Sequence, residues 1–503
     1  MNILEDAWIP MRTTSGDRVG RLADLLDPST LGPNWPKKEW NWATNMLAIS
    51  AMTAMNPLDE DEEETWQDRI ELGSENLNVI TEKYADDFNF GEGENWFMTC
   101  FQNISGKSKG PVPVERLIFD GPKENTVNKN NDIFFKEGRY STMPLPTAAI
   151  ALFHYQQCAT GTGRGYRTSL AGAGAVTALV DPGRGYSEFL LANVLPGMPG
   201  APGDWPWKRE TDFSGSPVIP ANGNSITNEG LFSTPRAVNL IVENNLVVSF
   251  HEVACGNNYR GWLSPYSPYR RKKIDDDNWV SSPRLKPGAR SYHDWLGVVV
   301  KGADNDTYRR PQVVRSFDEL DRETNASVIV EGWSVSKATA RQYISSRQPL
   351  LRLTNDQHSA VRGMIMATER WLWDLRYAFK EIWYLKTPSK LRPKQLPTTA
   401  NETLTDQFYS STEAAFRKSL TLIQNDKIDE GVAGFLSSCR SEALAMFEKE
   451  FLSSMATREF DRNQEAISKR NFLLGSFNGN TSNGKAAYGF LDLTPVKKRA
   501  KSA

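Results

Sequence analysis

The sequence predicts an α+β fold, in which a large irregular mixed domain over residues 1–352 precedes a four-helix bundle with a short basic tail over residues 353–503. Two observations support this prediction. The chain has 503 residues, and a single hydrophobic core stops growing at roughly 250–300 residues. Near residue 355 the hydrophobic pattern changes from short mixed segments to long helical repeats.

Helical and strand-like segments alternate irregularly in the first domain. Residues 43–55 and 146–156 have the pattern of helices, and the second of these leads into a glycine-rich stretch. Residues 238–250 and 296–301 are rich in β-branched side chains, which favour strands. Because no regular strand–helix repeat connects these segments, we expect an irregular α+β domain.

The second domain begins with an amphipathic stripe whose apolar positions recur at alternating steps of four and three. The stripe consists of Val361, Ile365, Thr368, Leu372, Leu375, Phe379 and Ile382. Prolines follow it, and further helices are predicted at about 404–424, 429–456 and 458–474. Four helices joined by moderate loops indicate an up-and-down bundle. Such a stripe is typical of a core, so we assign it no chemistry.

Composition limits the classes of function. The chain has 59 basic and 61 acidic side chains, a formal charge of −2, so any contact with nucleic acid must come from a local patch or from partner subunits. The N-terminus lacks the features of a signal peptide, and no stretch approaches the ~20 apolar residues of a membrane span. The cysteines are far apart, which argues against a zinc ribbon or a disulfide framework: Cys100, Cys158, Cys255 and Cys439. We expect a cytoplasmic protein.

Residues 157–174, QCATGTGRGYRTSLAGAG, pose the main question of function. Tyr166 and Thr168 stand where the dinucleotide-binding fingerprint requires its last glycine, and the phosphate-binding P-loop motif is absent. Glycine also serves where the chain needs a positive φ or where another body approaches the backbone. The run is therefore either an irregular loop packed on its own domain, or a ribbon against a polyanion with Arg164 and Arg167 as phosphate partners.

Motifs for catalysis are missing. The four histidines occur in no metal-binding spacing: His154, His251, His293 and His358. No G-x-S-x-G nucleophile elbow occurs, so a serine hydrolase has no anchor. These observations favour binding over catalysis.

The order of several segments resembles the CasA family, the large subunit of the type I-E CRISPR surveillance complex Cascade. The segments are NILEDAWIPM near the N-terminus, ENWFMT at 94–99, TAAIALFHYQQCATGTGRGYRTSL at 147–170, LLANVLPG, GLFSTPR at 230–236, WLSPYSPY at 262–269 and VEGWSVSKATARQY at 330–343. The C-terminal bundle completes the resemblance, which covers nearly the whole chain.

The resemblance implies a non-catalytic subunit that recognises the protospacer-adjacent motif of foreign duplex DNA, starts strand separation and helps to recruit the helicase-nuclease. The implied partners are the other Cascade subunits, the guide RNA near its 5′ end and the target duplex, with no membrane. We carry over no cofactor and no metal, because Cys255 has no cysteine companion in the sequence.

The resemblance also implies which residues contact DNA. Gly161, Thr162, Gly163 and Arg164 form the family's glycine loop, with Arg167 nearby for phosphate. The minor groove is only ~6 Å wide, so a backbone without large side chains can reach the base edges.

The family's wedge hairpin corresponds to Ser336, Lys337 and Ala338, where Lys337 replaces the usual glutamine. Lysine can prop bases apart or grip a phosphate, but it lacks an amide's paired donor and acceptor. Arg260 is a substitute for the family's minor-groove lysine. The basic run of Arg270, Arg271, Lys272 and Lys273 either contacts phosphates or forms a solvated loop.

A docking loop for the guide-bound complex is implied at Asn131, Ile133, Phe134, Phe135 and Lys136. Adjacent phenylalanines in a polar stretch favour a partner contact, although packing on the chain's own core is an equally good explanation. Two other functions remain open. One is a nucleotide-binding enzyme that uses the glycine-rich loop, and the other is a protein-interaction scaffold that does not contact DNA.

Overall fold

The computed structural model describes residues 1–55, 75–121, 127–128, 138–161, 165–196, 200–223, 225–273, 278–282, 285, 291–300, 307–320, 325–336, 339–453 and 459–496. The chain divides into two compact units. The first comprises Met1–Gly288 and Thr307–Leu350, and the second comprises Ala289–Asp306 and Leu351–Ala503. Mixed helices and antiparallel sheets, followed by a helical C-terminal region, confirm the α+β prediction.

The first unit contains all the strands that the structure describes. They are β1 (Ile9–Thr13), β2 (Gly16–Gly20), β3 (Thr30–Pro33), β4 (Pro111–Pro113), β5 (Met143–Pro144), β6 (Thr177–Asp181), β7 (Pro217–Val218), β8 (Ala237–Glu243), β9 (Leu246–Val253), β10 (Asn258–Tyr259), β11 (Tyr269–Arg270), β12 (Val280–Ser281), β13 (Tyr308–Arg309), β14 (Ser327–Ser336) and β15 (Thr339–Pro349). Its helices are α1 (Lys38–Met55), α2 (Glu75–Tyr84), α3 (Leu145–Cys158), α4 (Tyr186–Leu191), α5 (Asn228–Leu231) and α6 (Gln312–Leu320).

These strands form small sheets. The sheet orders are β2-β1-β3, β12-β11-β13, β15-β14-β6, and β4-β9-β5 with β8 also on β9, while β7 and β10 form a parallel pair. Helix α3 lies beside β9 and is buried along almost its whole length, including Ile150 and Phe153. A helix that is apolar on all sides belongs in a core. Because α3 is buried, its C-terminal end, where the glycine run begins, is held in place by the core.

A long hairpin leaves the first unit. β14 pairs with β15 along its entire length, but it pairs with β6 only over Ser327–Glu331. Beyond Glu331 the ribbon therefore continues with two strands, and a register shift between Ser334 and Val335 interrupts it near its end.

The second unit is a helical bundle. Its helices are α7 (Asn355–Trp383), α8 (Thr398–Gln424), α9 (Ile428–Phe451), α10 (Phe460–Phe477) and the short α11 (Ser482–Phe490). Helix α7 starts at a capping box, in which Thr354 and Gln357 exchange side-chain to backbone hydrogen bonds. The predicted stripe of α7 is buried except at Phe379, which is half-buried. Helix α8 begins earlier than predicted, directly after Pro397, since proline is tolerated at the start of a helix.

Two predicted strands differ from the structure. Residues 238–250 form a hairpin rather than one strand, because Asn244 and Asn245 both have positive φ and make the tight turn between β8 and β9. The predicted strand at 296–301 is wrong. The amides of Val298, Val299 and Val300 all donate to the carbonyl of Trp295, which makes a buried turn.

This turn belongs to the helical unit, where the side chains of its valines are buried without pairing in a strand. Just before it, Tyr292 stacks on Phe416 at a ring-centroid distance of 4.2 Å and bonds Thr412 Oγ1 at 2.8 Å. Within the described residues, no helix is both long enough and apolar enough to cross a membrane.

Candidate nucleic-acid interface

The glycine run forms a closed loop at the end of α3. The amide of Ser169 donates to the carbonyl of Ala159 at 3.0 Å, so Ala159 and Ser169 close the base of this loop. Gly161 is exposed at the beginning of this loop, and Gly165 has a φ of 88°. Thr162, Gly163 and Arg164 lie outside the described residues.

Arg236 supports the base of this loop. Its guanidinium is 3% exposed and donates to the carbonyl of Thr160, and it lies 4.3 Å from the ring centroid of Tyr166. Glu252 balances the charge, with Oε1 3.8 Å from Arg236 Nη1 and accepting a 2.5 Å hydrogen bond from Tyr155. Burial, together with the adjacent carboxylate, raises the pKa of Tyr155 well above its usual value, so the phenol stays a neutral donor.

Two of the predicted basic residues contact the segment that contains Gly215 and Val218. The amide of Arg167 donates to Ala254 O at 3.3 Å, and a Cβ at Gly215 would lie 3.2 Å from Nη2 of Arg167. Arg260 is exposed, and its amide donates to Val218 O at 2.9 Å. Arg167 and Arg260 therefore contact positions three residues apart, Gly215 and Val218.

The downstream glycines of the run serve internal packing. Gly172 and Gly174 have φ values of 86° and 87°. A Cβ at Gly172 would lie 3.1 Å from Cβ of Ser281, and one at Gly174 would lie 2.7 Å from the carbonyl oxygen of Trp333. This part of the run matches the packed-loop interpretation. Gly161 differs, because its φ is not in the positive region and a Cβ there would make only ordinary contacts.

The basic run lies on a small sheet that packs on the same loop. Arg270 ends β11, Lys272 and Lys273 are exposed, and the guanidinium of Arg271 lies 4.8 Å from the ring of Trp279. From the same strand, the hydroxyl of Tyr269 donates to the carbonyl of Leu170 at 3.4 Å. The sheet is thus hydrogen-bonded to the chain immediately after the glycine loop.

The hairpin contacts the run at its other end. The amide of Trp333 donates to Gly174 O at 2.8 Å, which extends the pairing of β14 beyond β6. Ser336 is exposed at the end of β14, where it pairs with Thr339. Lys337 and Ala338 lie outside the described residues.

A buried hydrogen bond reinforces this junction. The indole Nε1 of Trp333 donates to Nε2 of His154 at 3.0 Å, and the thiol of Cys158 lies 3.4 Å from the same nitrogen. Burial lowers the pKa of His154 to about 3, with a smaller contribution from the charge of Lys37, so the ring is neutral. Burial also raises the pKa of the Cys158 thiol well above its usual value.

The docking residues predicted from the sequence all lie outside the described residues: Asn131, Ile133, Phe134, Phe135 and Lys136. The sequence reasoning missed His154, Arg236 and Trp333 as supports of the loop and the hairpin. All three stand inside segments that carry the family resemblance, which was their only signal. In the described part of the chain, no three His, Cys, Asp or Glu side chains are placed to hold a metal ion.

Comparison with known proteins places this geometry in context. The sequence matches the family described as CRISPR-associated protein Cse1 over residues 2–451. Thermus thermophilus CasA (Cse1) has a similar fold, with 14% identity, a TM-score of 0.66 and coverage of 96% of this chain and 99% of that one. Thermobifida fusca Cse1 is similar with 13% identity, a TM-score of 0.66 and 98% of both chains covered.

A chain of a CRISPR RNA-guided surveillance complex also matches, with 14% identity, a TM-score of 0.67 and coverage of 94% of this chain and 99% of that one. The structural matches establish a shared fold, and the family match spans most of the sequence, which confirms the resemblance seen in its motifs. The chain therefore belongs to the Cse1 family of CRISPR-associated proteins.

Proposed function

We propose that this chain is the non-catalytic large subunit of a guide-RNA surveillance complex. In this role it recognises the protospacer-adjacent motif of foreign duplex DNA, starts strand separation and helps to recruit a helicase-nuclease. Membership of the Cse1 family supports the subunit role, as does the fold shared with a chain of a CRISPR RNA-guided surveillance complex. The observation that carries the DNA role is the hydrogen bond from Trp333 N to Gly174 O, which joins the glycine run to the hairpin.

The glycine loop suits a narrow groove. Its base is closed by the hydrogen bond between Ser169 and Ala159, and Gly161 adds no side chain to its exposed start. Backbone groups of Gly161–Arg164 would face base edges in the minor groove, where bulky residues do not fit. Arg167 would contact a phosphate beside the loop, which fixes position without reading sequence.

Charge around the loop is local. The whole chain has a formal charge of −2, so it does not coat nucleic acid through its net charge. Arg260, Arg270, Lys272 and Lys273 are exposed on elements hydrogen-bonded to the loop or to its neighbours. They provide phosphate contacts on the flanking duplex, and guide-RNA pairing reads the remaining sequence.

Strand separation is assigned to the hairpin. Residues Ser336–Ala338 join β14 to β15, and among the described residues β6 pairs with β14 only as far as Glu331. Lys337 would enter below the motif and hold the first base pair open, as wedge side chains do when they unstack a step. Its ammonium also allows a charge-assisted contact with phosphate, which the neutral amide of the family's glutamine does not supply.

Docking is assigned to residues 131–136, near the 5′ end of the guide RNA and the neighbouring subunits. Two adjacent phenylalanines, Phe134 and Phe135, would act as buried anchors, since aromatic side chains carry much of the energy of interfaces.

Reconstitution tests this function. A tagged guide-RNA complex is prepared with and without the chain, and its binding to duplexes with and without the flanking motif is measured. We expect the chain to co-purify and to be required for binding to the motif-bearing duplex. Failure to co-purify contradicts the proposal. A thermal shift of the free chain with ATP, in the absence of complex assembly, would support the nucleotide-binding enzyme instead.

A further inference from the structure

The hairpin and helix α3 meet at one buried hydrogen bond. Trp333 lies two residues beyond the last pair between β14 and β6, and three residues before Ser336. At ~3.3 Å per strand residue, it stands roughly 10 Å from the end of β14. His154 lies one helical turn before the end of α3, where the glycine loop begins. The 3.0 Å bond from Trp333 Nε1 to His154 Nε2 therefore connects the bases of the two proposed DNA-binding elements.

Backbone contacts make the junction specific. Trp333 N donates to Gly174 O at 2.8 Å, and Gly174 N donates to Cys158 O at 3.3 Å. A Cβ at Gly332 would lie 2.5 Å from Ala175 O, so the two chain segments cross too closely for a side chain there. The end of α3, the end of the glycine run and the hairpin are thereby joined at Trp333.

The chemistry of the pair permits one arrangement. An indole N–H only donates, so His154 Nε2 must accept and the ring proton resides on Nδ1. The ring of Phe119 lies 5.3 Å from Trp333 and 5.8 Å from His154, and it shields the bond from water. His154 is fully buried and Trp333 is 5% exposed, so neither group has solvent as an alternative partner.

We infer that Trp333 and His154 are positioning residues, whose hydrogen bond sets the direction in which the hairpin leaves the protein relative to the glycine loop. Motif capture at the loop and strand parting at the hairpin then occur at a fixed spacing on the duplex. Without this hydrogen bond the hairpin and the glycine loop are both still present, but their relative orientation is no longer fixed. This inference rests on the proposed function.

Trp333→Phe tests the bond, because it removes the indole donor and keeps an aromatic ring. Trp8→Phe is a matched control, since Trp8 is also buried and its Nε1 donates to Ile3 O at 2.8 Å, away from the loop and hairpin. Assembled complexes are assayed on fully paired targets and on targets pre-melted beside the motif. We expect Trp333→Phe to lose about tenfold in binding to paired targets relative to pre-melted ones, whereas Trp8→Phe keeps the wild-type ratio.

A double variant separates positioning from stability. Trp333→Phe leaves Nε2 of His154 buried with only the Cys158 thiol, a weak donor at 3.4 Å, and His154→Leu removes that acceptor. The pair of changes is expected to recover melting temperature relative to Trp333→Phe alone, while the altered ratio persists. If the ratio returns together with stability, or if Trp333→Phe matches Trp8→Phe, the inference is wrong. A wild-type complex without any preference for the motif would instead overturn the proposed function.

Discussion

Arg236 shows how a single residue can support a site without lying in it. The guanidinium is almost fully buried, and the carboxylate of Glu252 balances its charge at 3.8 Å. Burying a charge is costly unless hydrogen bonds and an opposite charge compensate. Here the compensation comes from the carbonyl of Thr160 and the face of Tyr166, both part of the glycine loop or its base. The stability of the core and the shape of the loop therefore depend on one another.

Gly161 permits a test of the loop that leaves the fold intact. Gly161→Ala should keep or slightly raise stability, because a Cβ there lies 3.4 Å from Thr168 and the backbone φ suits an L-residue. Binding of assembled complexes to motif-bearing duplex should fall by about tenfold, since the methyl group widens the loop in a narrow groove. The measurements are thermal denaturation and duplex affinity.

Gly174→Ala is the matched control for that variant. Its Cβ would lie 2.7 Å from Trp333 O at a φ of 87°, so the free chain should lose stability by more than about 1 kcal/mol. If Gly161→Ala binds the duplex as tightly as wild type does, Gly161 does not belong to the proposed interface.

His154 should make stability depend on pH. The pKa of His154 in the folded chain is about 3, whereas that of a solvated histidine is about 6.5. As pH falls below about 6.5, His154 is protonated in the unfolded chain but stays neutral in the folded chain. The free energy of unfolding therefore decreases until pH approaches about 3. Between pH 7.5 and pH 5 this one group should remove about 2 kcal/mol.

The measurement is denaturant unfolding across that pH range for wild type and His154→Gln, which keeps an acceptor but does not titrate. Carboxylates contribute to both curves, so the difference between the curves reports His154. Parallel curves for the two proteins would show that the histidine does not titrate differently on folding.

Among the elements, the hairpin of β14 and β15 carries the proposed wedge. Lys337→Ala should slow strand opening more than it weakens motif capture, because a wedge acts after the duplex is bound. Binding to fully paired targets should decrease, and pre-melting beside the motif should restore it. Thr339→Ala, at an exposed residue that begins β15, is the control. Equal loss on both kinds of target would argue for a plain phosphate contact at Lys337.

Elements with a long, regular pattern were predictable, whereas those that depend on tertiary contacts were not. The stripe from Val361 to Ile382 marks α7 correctly because its period repeats over several turns. The valines at 298–300 have strand propensity, yet they form a turn buried within the helical unit. Intrinsic strand preference is weak beside such burial.

The site shows the same limit. The glycine run correctly indicated a loop. The sequence does not show, however, that Gly172 and Gly174 allow close packing of other chain segments whereas Gly161 does not. That distinction depends on residues far along the chain, Ser281 and Trp333. Arg236 was missed for a similar reason, since a buried arginine is identified by its partners rather than by its neighbours in sequence.

At the scale of the whole molecule, docking should be separable from folding. Phe134→Ala together with Phe135→Ala should leave the melting temperature of the free chain unchanged and should weaken its retention in the guide-RNA complex. Phe101→Ala, at an exposed aromatic of the first unit, is the control. The measurements are thermal denaturation and co-purification. A lower melting temperature with normal retention would place the two phenylalanines in the chain's own core.

The helical unit is built from two separate stretches of chain, Ala289–Asp306 and Leu351–Ala503. A chimera of two relatives that exchanges only the second stretch would set Tyr292 of one parent against Phe416 of the other, a pair that stacks at 4.2 Å here. We expect such a chimera to melt at a lower temperature than one that exchanges both stretches. A single genetic crossover near residue 351 therefore does not transfer this unit intact. Recombination between relatives transfers the complete helical unit only when both stretches of chain are exchanged.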